Sequence, residues 1–181
     1  MNISELKTNR LLLRNFESSD LDFVHAHFSN SKVTAFLYDN EPPENIDASK
    51  EILDWCMDLA SPTHVRWCIT LINGSNPIGT CGFHRYDNTN NAAEIGYDLF
   101  PDHWSNGYMS EALTEMLSYG FGNLGLNRIY AFVFVNNAAS NHLLEKLGFS
   151  LEGVVREKHY YKGKYYDHNL YSLLKSSRLG H

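Results

Sequence analysis

Along this chain the spacing of apolar positions changes repeatedly, and each change marks an element. Thr8 to Phe16 (TNRLLLRNF) has the compact apolar run of a strand, and Asp20 then opens LDFVHAHF, whose apolar positions recur at helical spacing. The acidic, proline-containing stretch Asp39 to Asn45 is expected to turn. Ile46 to Leu59 then has an amphipathic helical pattern that directs Ile52, Trp55, Cys56 and Leu59 inward, where the helix is placed to flank the entrance of a site. Strand-like runs follow at Val65 to Ile72, Pro77 to Arg85 and Ala92 to Leu99, separated by the hairpin dipeptide Asn73-Gly74 and by the polar DNTNN from Asp87 to Asn91.

The second half alternates differently. A long helix from about Gly107 to Gly120 leads to the β-branched and aromatic strand Ile129 to Val135, and a short helix covers Ala138 to Lys146. Strand, helix, strand implies a parallel crossover of right-handed sense. Two more strands, Val154 to Tyr161 and Tyr165 to Leu174, are joined at the Lys162-Gly163-Lys164 turn. The pattern is α/β in the α+β sense: an antiparallel meander feeding one parallel unit, with no internal repeat.

Composition narrows the picture. At 181 residues and 43% hydrophobic content, one domain spanning 1–181 is expected, with one sizeable core. No apolar run approaches the ~20 residues of a membrane span, and the N-terminus lacks a secretory signal, so a cytoplasmic location and no membrane partner are expected. Cys56, Cys68 and Cys81 sit far apart in apolar patterns, which favours buried thiols over disulfides or metal ligation. The net charge of -6 argues against direct nucleic-acid binding and is compatible with a cationic partner or with solubility alone. A monomer or a homodimer is expected.

Candidate chemistry concentrates in two stretches. In HWSNGYMSEA, His103 to Ala112, residues Ser105, Asn106 and Gly107 open a turn ahead of the long helix. The first turn of a helix has N–H groups without intrahelical partners at the positive end of its dipole, so this turn suits a pyrophosphate. NNAASNHLLEKLGF, Asn136 to Phe149, follows. The pair in this order suggests an acyl-coenzyme A enzyme.

Together with TNRLLLRNFESSD, AEIGYDL and GKYYDHNLYSLL, these motifs resemble the GNAT acyltransferases, and within them the RimJ/RimL-type N-terminal acetyltransferases of ribosomal proteins, over nearly the whole chain. The resemblance implies a mixed, mostly antiparallel sheet of six or seven strands with flanking helices. Acetyl-CoA would be wedged between two splayed parallel strands, here Ala92 to Leu99 and Ile129 to Val135. It assigns pyrophosphate binding to Ser105, Asn106, Gly107, Tyr108, Met109 and Ser110, and contact with the pantetheine arm to Asn137. Where that branch usually has Trp-Gly-Lys-Gly-Tyr-Ala, this chain has Trp104-Ser105-Asn106-Gly107-Tyr108-Met109. A phosphate-proximal charge is lost and bulk is added, and coenzyme affinity is the property at stake.

Acetyl transfer from a thioester needs a neutral amine, a donor for the oxyanion and a proton source for the departing thiolate. Glu94 resembles the family's general base, often acting through water; its alternative use is an ion pair with a neighbouring Arg or Lys. His84 on the adjacent hairpin strand has the chemistry to share that role or to be an ordinary sheet histidine. The tyrosine that many relatives use as acid corresponds to Leu144 here. Ser140, one helical turn earlier and matching the RimL-type Asn-x-x-Ser pattern, is the candidate acid, with helix capping or a hydroxyl bonded to the backbone as its alternative. The oxyanion donor is expected to be a backbone N–H on the strand after Glu94. His25 and His27 are two apart on a predicted helix, and no metal is expected.

An α-amine of pKa near 7.8 is about a third neutral at pH ~7.5, whereas a lysine at ~10.4 is roughly 0.1% neutral. A single modest base therefore favours a protein N-terminus as acceptor, plausible candidates being ribosomal proteins. Small amines such as polyamines, amino acids or aminoglycosides are the alternative acceptors, and a non-catalytic acyl-CoA-binding or interaction module is the alternative of another class. Tyr160, Tyr161, Tyr165 and Tyr166 either line an acceptor groove or stabilise a hairpin.

Overall fold

The computed structural model describes residues 4–37 and 41–178. Asp39 and Asn40, at the start of the expected turn, lie outside the described residues. Eight strands run in the sheet order β1-β2-β3-β4-β5-β6-β8-β7, numbered along the chain as Leu6–Lys7, Leu11–Arg14, Val65–Leu71, Pro77–Asp87, Ala92–Leu99, Arg128–Phe134, Ser150–Tyr161 and Lys164–Leu174. The helices are α1 (Leu21–Phe28), α2 (Ile46–Met57), α3 (Tyr108–Gly122), α4 (Ala138–Lys146) and α5 (Lys175–Arg178). This is the mixed sheet the pattern implies, mostly antiparallel, with β5 and β6 parallel.

The chain forms two compact units. Unit 1 comprises residues 1–84 and 96–116, and unit 2 comprises 85–95 and 117–181. The chain passes from one to the other within β4, β5 and α3.

In unit 1, β1 and β2 form a narrow hairpin with Leu6 opposite Leu13. The Thr8 hydroxyl accepts from the Leu11 N–H at 2.9 Å, so Thr8–Arg10 turns instead of continuing the strand expected from Thr8. That turn is why the sheet gains one strand over the expected number. Alternation along β2 buries Leu11 and Leu13, and β3 buries Trp67, Cys68 and Ile69. Phe16, Val24, Leu53, Cys56 and Cys68 form a cluster that Leu21, Phe23, Phe28, Ile52 and Met57 extend. Burying one such side chain stabilises the fold by about 1.5–3 kcal/mol.

Helix α2 rotates relative to its expected face. Asn45 caps it by accepting from the Ala48 N–H at 2.9 Å, and Leu53 with Cys56 turns inward. Trp55 is 42% exposed, and Leu59 lies beyond the helix and is only half-buried. The Trp55 indole stacks on the His64 imidazole at 4.0 Å, a contact between residues nine positions apart that periodicity does not reveal. Burial pushes the thiols of Cys56 and Cys81 up to about 12 and raises that of Cys68 further, so all three remain neutral.

In unit 2, β6 pairs with β8 from Arg128 opposite Leu174 to Phe134 opposite His168. Strand β8 pairs in turn with β7, through a tight turn whose Lys162 and Gly163 have φ of 48° and 79°. Tyr160 and Tyr165 form an exposed cross-strand pair with centroids 4.9 Å apart, while Tyr166 packs edge-on against Phe134 at 5.2 Å. Hairpin stabilisation accounts for these rings. Leu126, Ile129, Leu144, Tyr171 and Leu173 are buried. No helix among the described residues is long and apolar enough to cross a membrane.

Candidate active site

In unit 1, β5 ends at Leu99 and Pro101–His103 makes one short helical turn. The Trp104 indole N–H donates to the Leu99 carbonyl at 2.7 Å and fixes the approach to α3. Ser105 and Gly107 then adopt left-handed backbone, with φ of 61° and 76°. Such a turn at a helix start makes an anion-binding concavity of main-chain N–H groups. A Cβ placed on Gly107 would meet only the Arg10 guanidinium, at 3.6 Å, so the turn is open beside the glycine. Asn106 folds its side chain back, donating from Nδ2 to the Trp104 carbonyl at 2.9 Å, and Met109 and Ser110 are half-buried in the first turn of α3. Ser105 to Ser110 are thus contiguous around one turn, as expected, and the chemistry they offer is main-chain.

Glu111, one position further along α3, anchors that turn. Its Oε1 accepts from the Thr8 hydroxyl at 2.6 Å and from the Arg10 N–H at 2.9 Å, and its Oε2 accepts from Arg10 Nε at 2.6 Å. Burial alone would raise the Glu111 carboxyl, but the Thr8 and Arg10 donors outweigh it and hold the group below its ordinary value.

Unit 1 also holds a buried charge network. Asp98 Oδ1 accepts from His27 Nε2 at 2.6 Å and from the Thr80 hydroxyl at 2.8 Å, and its other oxygen pairs with Arg66. Because the carboxylate only accepts, His27 carries its proton on Nε2. Burial would raise the Asp98 carboxyl, yet the Arg66 and His27 charges and the hydrogen bonds of His27 and Thr80 bring it below its ordinary value. His25 bonds Ser49 Oγ through Nδ1 at 2.8 Å, and among the described residues no group of His, Cys, Asp and Glu is placed to hold a metal ion. His84 is half-buried on β4 with its ring 3.0 Å from where a Cβ on Gly96 would stand, so a side chain at 96 would press on the imidazole.

In unit 2, β5 and β6 pair in parallel over Ala92 to Glu94, opposite Arg128 to Tyr130. Glu94 is buried, and its Oε2 accepts from Arg85 Nη1 at 2.6 Å. The ion pair foreseen as an alternative for this carboxylate is present, and the partner is Arg85, itself in left-handed backbone with φ of 52° at the end of β4. Opposite Glu94, burial and the Glu94 charge push the Tyr130 phenol above its ordinary value. Asn137 caps α4, its Oδ1 accepting the Ser140 N–H at 3.2 Å. Capping is therefore the work of Asn137 and not of the Ser140 hydroxyl. With Oδ1 engaged, the Asn137 amide presents donors, as a contact to pantetheine amides requires. Asn141 locks this turn to the end of β6 by donating to the carbonyls of Phe134, Val135 and Asn137, and accepts in turn from Asn169 at 2.8 Å. Leu144, where a tyrosine acid would stand, is fully buried.

Arg10 stands in the TNRLLLRNFESSD motif and Arg85 at the end of a predicted strand, but the motif names the partner of neither. Each meets its partner through folding, and Arg10 lies 101 positions from Glu111.

The turn before α3 lies in unit 1, and the Glu94 carboxylate and the Asn137 cap lie in unit 2. An acetyltransferase (GNAT) domain matches residues 10–150, and the chain belongs to that family. It is 42% identical over 171 residues to the uncharacterized N-acetyltransferase YoaA of Bacillus subtilis (strain 168), covering 94% of this chain and 96% of the relative. It is 33% identical over 101 residues, 56% of each chain, to the ribosomal-protein-serine acetyltransferase of Escherichia coli (strain K12). The crystal structure of spermidine N-acetyltransferase from Vibrio cholerae in complex with CoA and spermine superimposes with a TM-score of 0.84 at 27% identity, covering 96% of this chain and 100% of that one. The protein is an acetyl-CoA-dependent N-acetyltransferase.

Proposed function

We propose that the acceptor is the N-terminal α-amine of a protein, in the manner of the RimJ/RimL-type enzymes, and that residues 1–181 act as one catalytic domain. The matched span 10–150 draws residues from both compact units, which supports the single domain. The observation that carries the acceptor is Arg85. Its guanidinium lies 2.6 Å from Glu94 with a side chain 49% exposed, so a cation stands beside the carboxylate that takes the acceptor's proton. The ion pair leaves no net negative charge there to attract the several cations of a polyamine, whereas a peptide N-terminus brings one group that is about a third neutral near pH ~7.5.

Acetyl-CoA supplies the activated acyl carbon. Glu94 accepts the ammonium proton, directly or through a water, and the neutral amine forms the new C–N bond as the C–S bond breaks. The Ser140 hydroxyl gives a proton to the departing thiolate and is restored by the proton that the newly acylated nitrogen releases, relayed through water, and the Asn137 amide orients the pantetheine arm. The N–H groups of Ser105 to Ser110 hold the pyrophosphate through their main-chain positions, so the altered side chains at 106 and 109 leave the donors in place.

A mixed pool of peptides with free N-termini, polyamines, amino acids and aminoglycosides, incubated with acetyl-CoA and resolved by mass, tests the acceptor. The expected product is peptide acetylated at the α-amine. Acetylated spermidine as the main product would overturn the α-amine proposal and leave the enzyme class intact. Ser140→Ala is expected to lower kcat on the order of 10²-fold with acetyl-CoA binding unchanged. Full turnover would return Ser140 to a structural role.

A further inference from the structure

The branch this chain resembles carries a lysine in the turn before α3, and here position 106 is asparagine, its side chain bonded back to Trp104. A cation nevertheless reaches the turn from the other end of the chain. Arg10 Nη1 donates to the Asn106 main-chain carbonyl at 3.1 Å, and its guanidinium carbon lies 4.6 Å from the centroid of the Tyr108 ring. Nη2 is the atom that a Cβ on Gly107 would approach at 3.6 Å. The same side chain grips Glu111 through Nε. One arginine thus touches the turn at Asn106 and the helix at Tyr108 and Glu111.

These contacts sort the polarity of the turn. A carbonyl oxygen among anion-binding N–H groups repels a phosphate, and a guanidinium donor that takes up the Asn106 oxygen removes that repulsion while adding positive charge. The Thr8 hydroxyl and the Arg10 N–H secure the other oxygen of Glu111, so the Thr8–Arg10 turn and the start of α3 are fastened together. The Arg10 side chain is 48% exposed, which leaves its charge available to a ligand in the turn.

We infer that Arg10 is a positioning residue for the coenzyme: it holds the Ser105–Tyr108 turn in its anion-binding conformation and supplies the charge that position 106 lacks. This inference rests on the assignment of that turn to the pyrophosphate.

The test compares native protein with Arg10→Gln, which keeps a donor and removes the charge and the fork. Acetyl-CoA affinity is measured by calorimetry, and KM and kcat are measured with a peptide acceptor. Kd and KM for acetyl-CoA are expected to rise about tenfold, with kcat within about twofold of native. Asn106→Lys added to Arg10→Gln is expected to bring Kd back to within about threefold of native, since it returns a cation to the turn. Native affinity in Arg10→Gln overturns the inference, as does a loss confined to kcat and thermal stability. Should Arg10→Gln fail to fold, Asn106→Lys alone decides. A turn already served by Arg10 changes Kd less than about threefold, and tightening of tenfold or more overturns the inference. A native protein that binds no acetyl-CoA overturns the pyrophosphate assignment itself, whereas normal binding in both native and Arg10→Gln protein overturns only the role of Arg10.

Discussion

In the proposed mechanism the turn from Ser105 to Ser110 and the carboxylate at Glu94 would recognise their targets by opposite means. The turn offers main-chain N–H groups, set by left-handed φ at Ser105 and Gly107, while the Asn106 side chain points its amide toward Trp104. Glu94 offers a side-chain oxygen in a buried place beside one guanidinium. A site made of main chain tolerates side-chain change so long as its φ values hold, and a site made of one side chain tolerates none. This explains how the chain keeps its coenzyme chemistry while departing from the usual sequence at 106 and 109.

The largest effect expected from that contrast falls on the side-chain site. Glu94→Gln keeps shape and an acceptor oxygen for Arg85 but cannot take a proton. kcat is expected to drop on the order of 10³-fold, with the pH–rate profile losing its acidic limb and acetyl-CoA Kd within about twofold of native. An unchanged profile would remove Glu94 from the role of base.

A second side-chain group in unit 1 sharpens the comparison, because Asp98 contributes stability instead of proton transfer. Asp98→Asn leaves Arg66 without a buried counter-charge, and the loss is expected to be about 3 kcal/mol, read from denaturant unfolding at pH 7. The sign with pH follows from the depressed carboxyl: its contribution is present above the unfolded value near 4 and is lost as pH falls below that through the lower folded value. Native stability is therefore expected to decline below about pH 4, and Asp98→Asn to show a shallower decline over the same window. Equal slopes would mean that other carboxylates govern acid unfolding.

Much of this architecture is legible from pattern alone, for identifiable reasons. Strand β5 and helix α4 fall at Ala92–Leu99 and Ala138–Lys146, as the apolar spacing predicts, because local signals set both ends. The strand assigned from Thr8 breaks into a hairpin because Thr8 bonds Leu11, a turn that an apolar run hides. Trp55 leaves the expected inward face because His64 offers it a stacking partner. Motif resemblance locates Glu94, Ser140 and Asn137 along the chain, but which groups surround them depends on contacts that spacing does not encode. Arg85 beside Glu94 and Arg10 beside Asn106 are two such contacts, and both change the chemistry that the motif suggests.

The smallest expected effects test the main-chain site most directly, through two substitutions, one that adds a side chain and one that removes one. Gly107→Ala adds a methyl where the nearest neighbour is a mobile guanidinium tip at 3.6 Å, so crowding is minor and the cost is conformational. Holding alanine at φ of 76° costs about 1 kcal/mol, and acetyl-CoA Kd is expected to rise about fivefold as the turn relaxes. Ser105→Gly removes a side chain from a residue already held at φ of 61°. The relief of backbone strain is offset by the greater freedom of glycine in the unfolded chain, so stability and Kd are both expected within about twofold of native. If the serine hydroxyl bound phosphate, this variant would instead weaken the coenzyme by tenfold or more, since a hydrogen bond to a charged group is worth roughly 1.5–3 kcal/mol. A large loss at Ser105 together with a small one at Gly107 would place recognition in the side chains and reverse the contrast with Glu94.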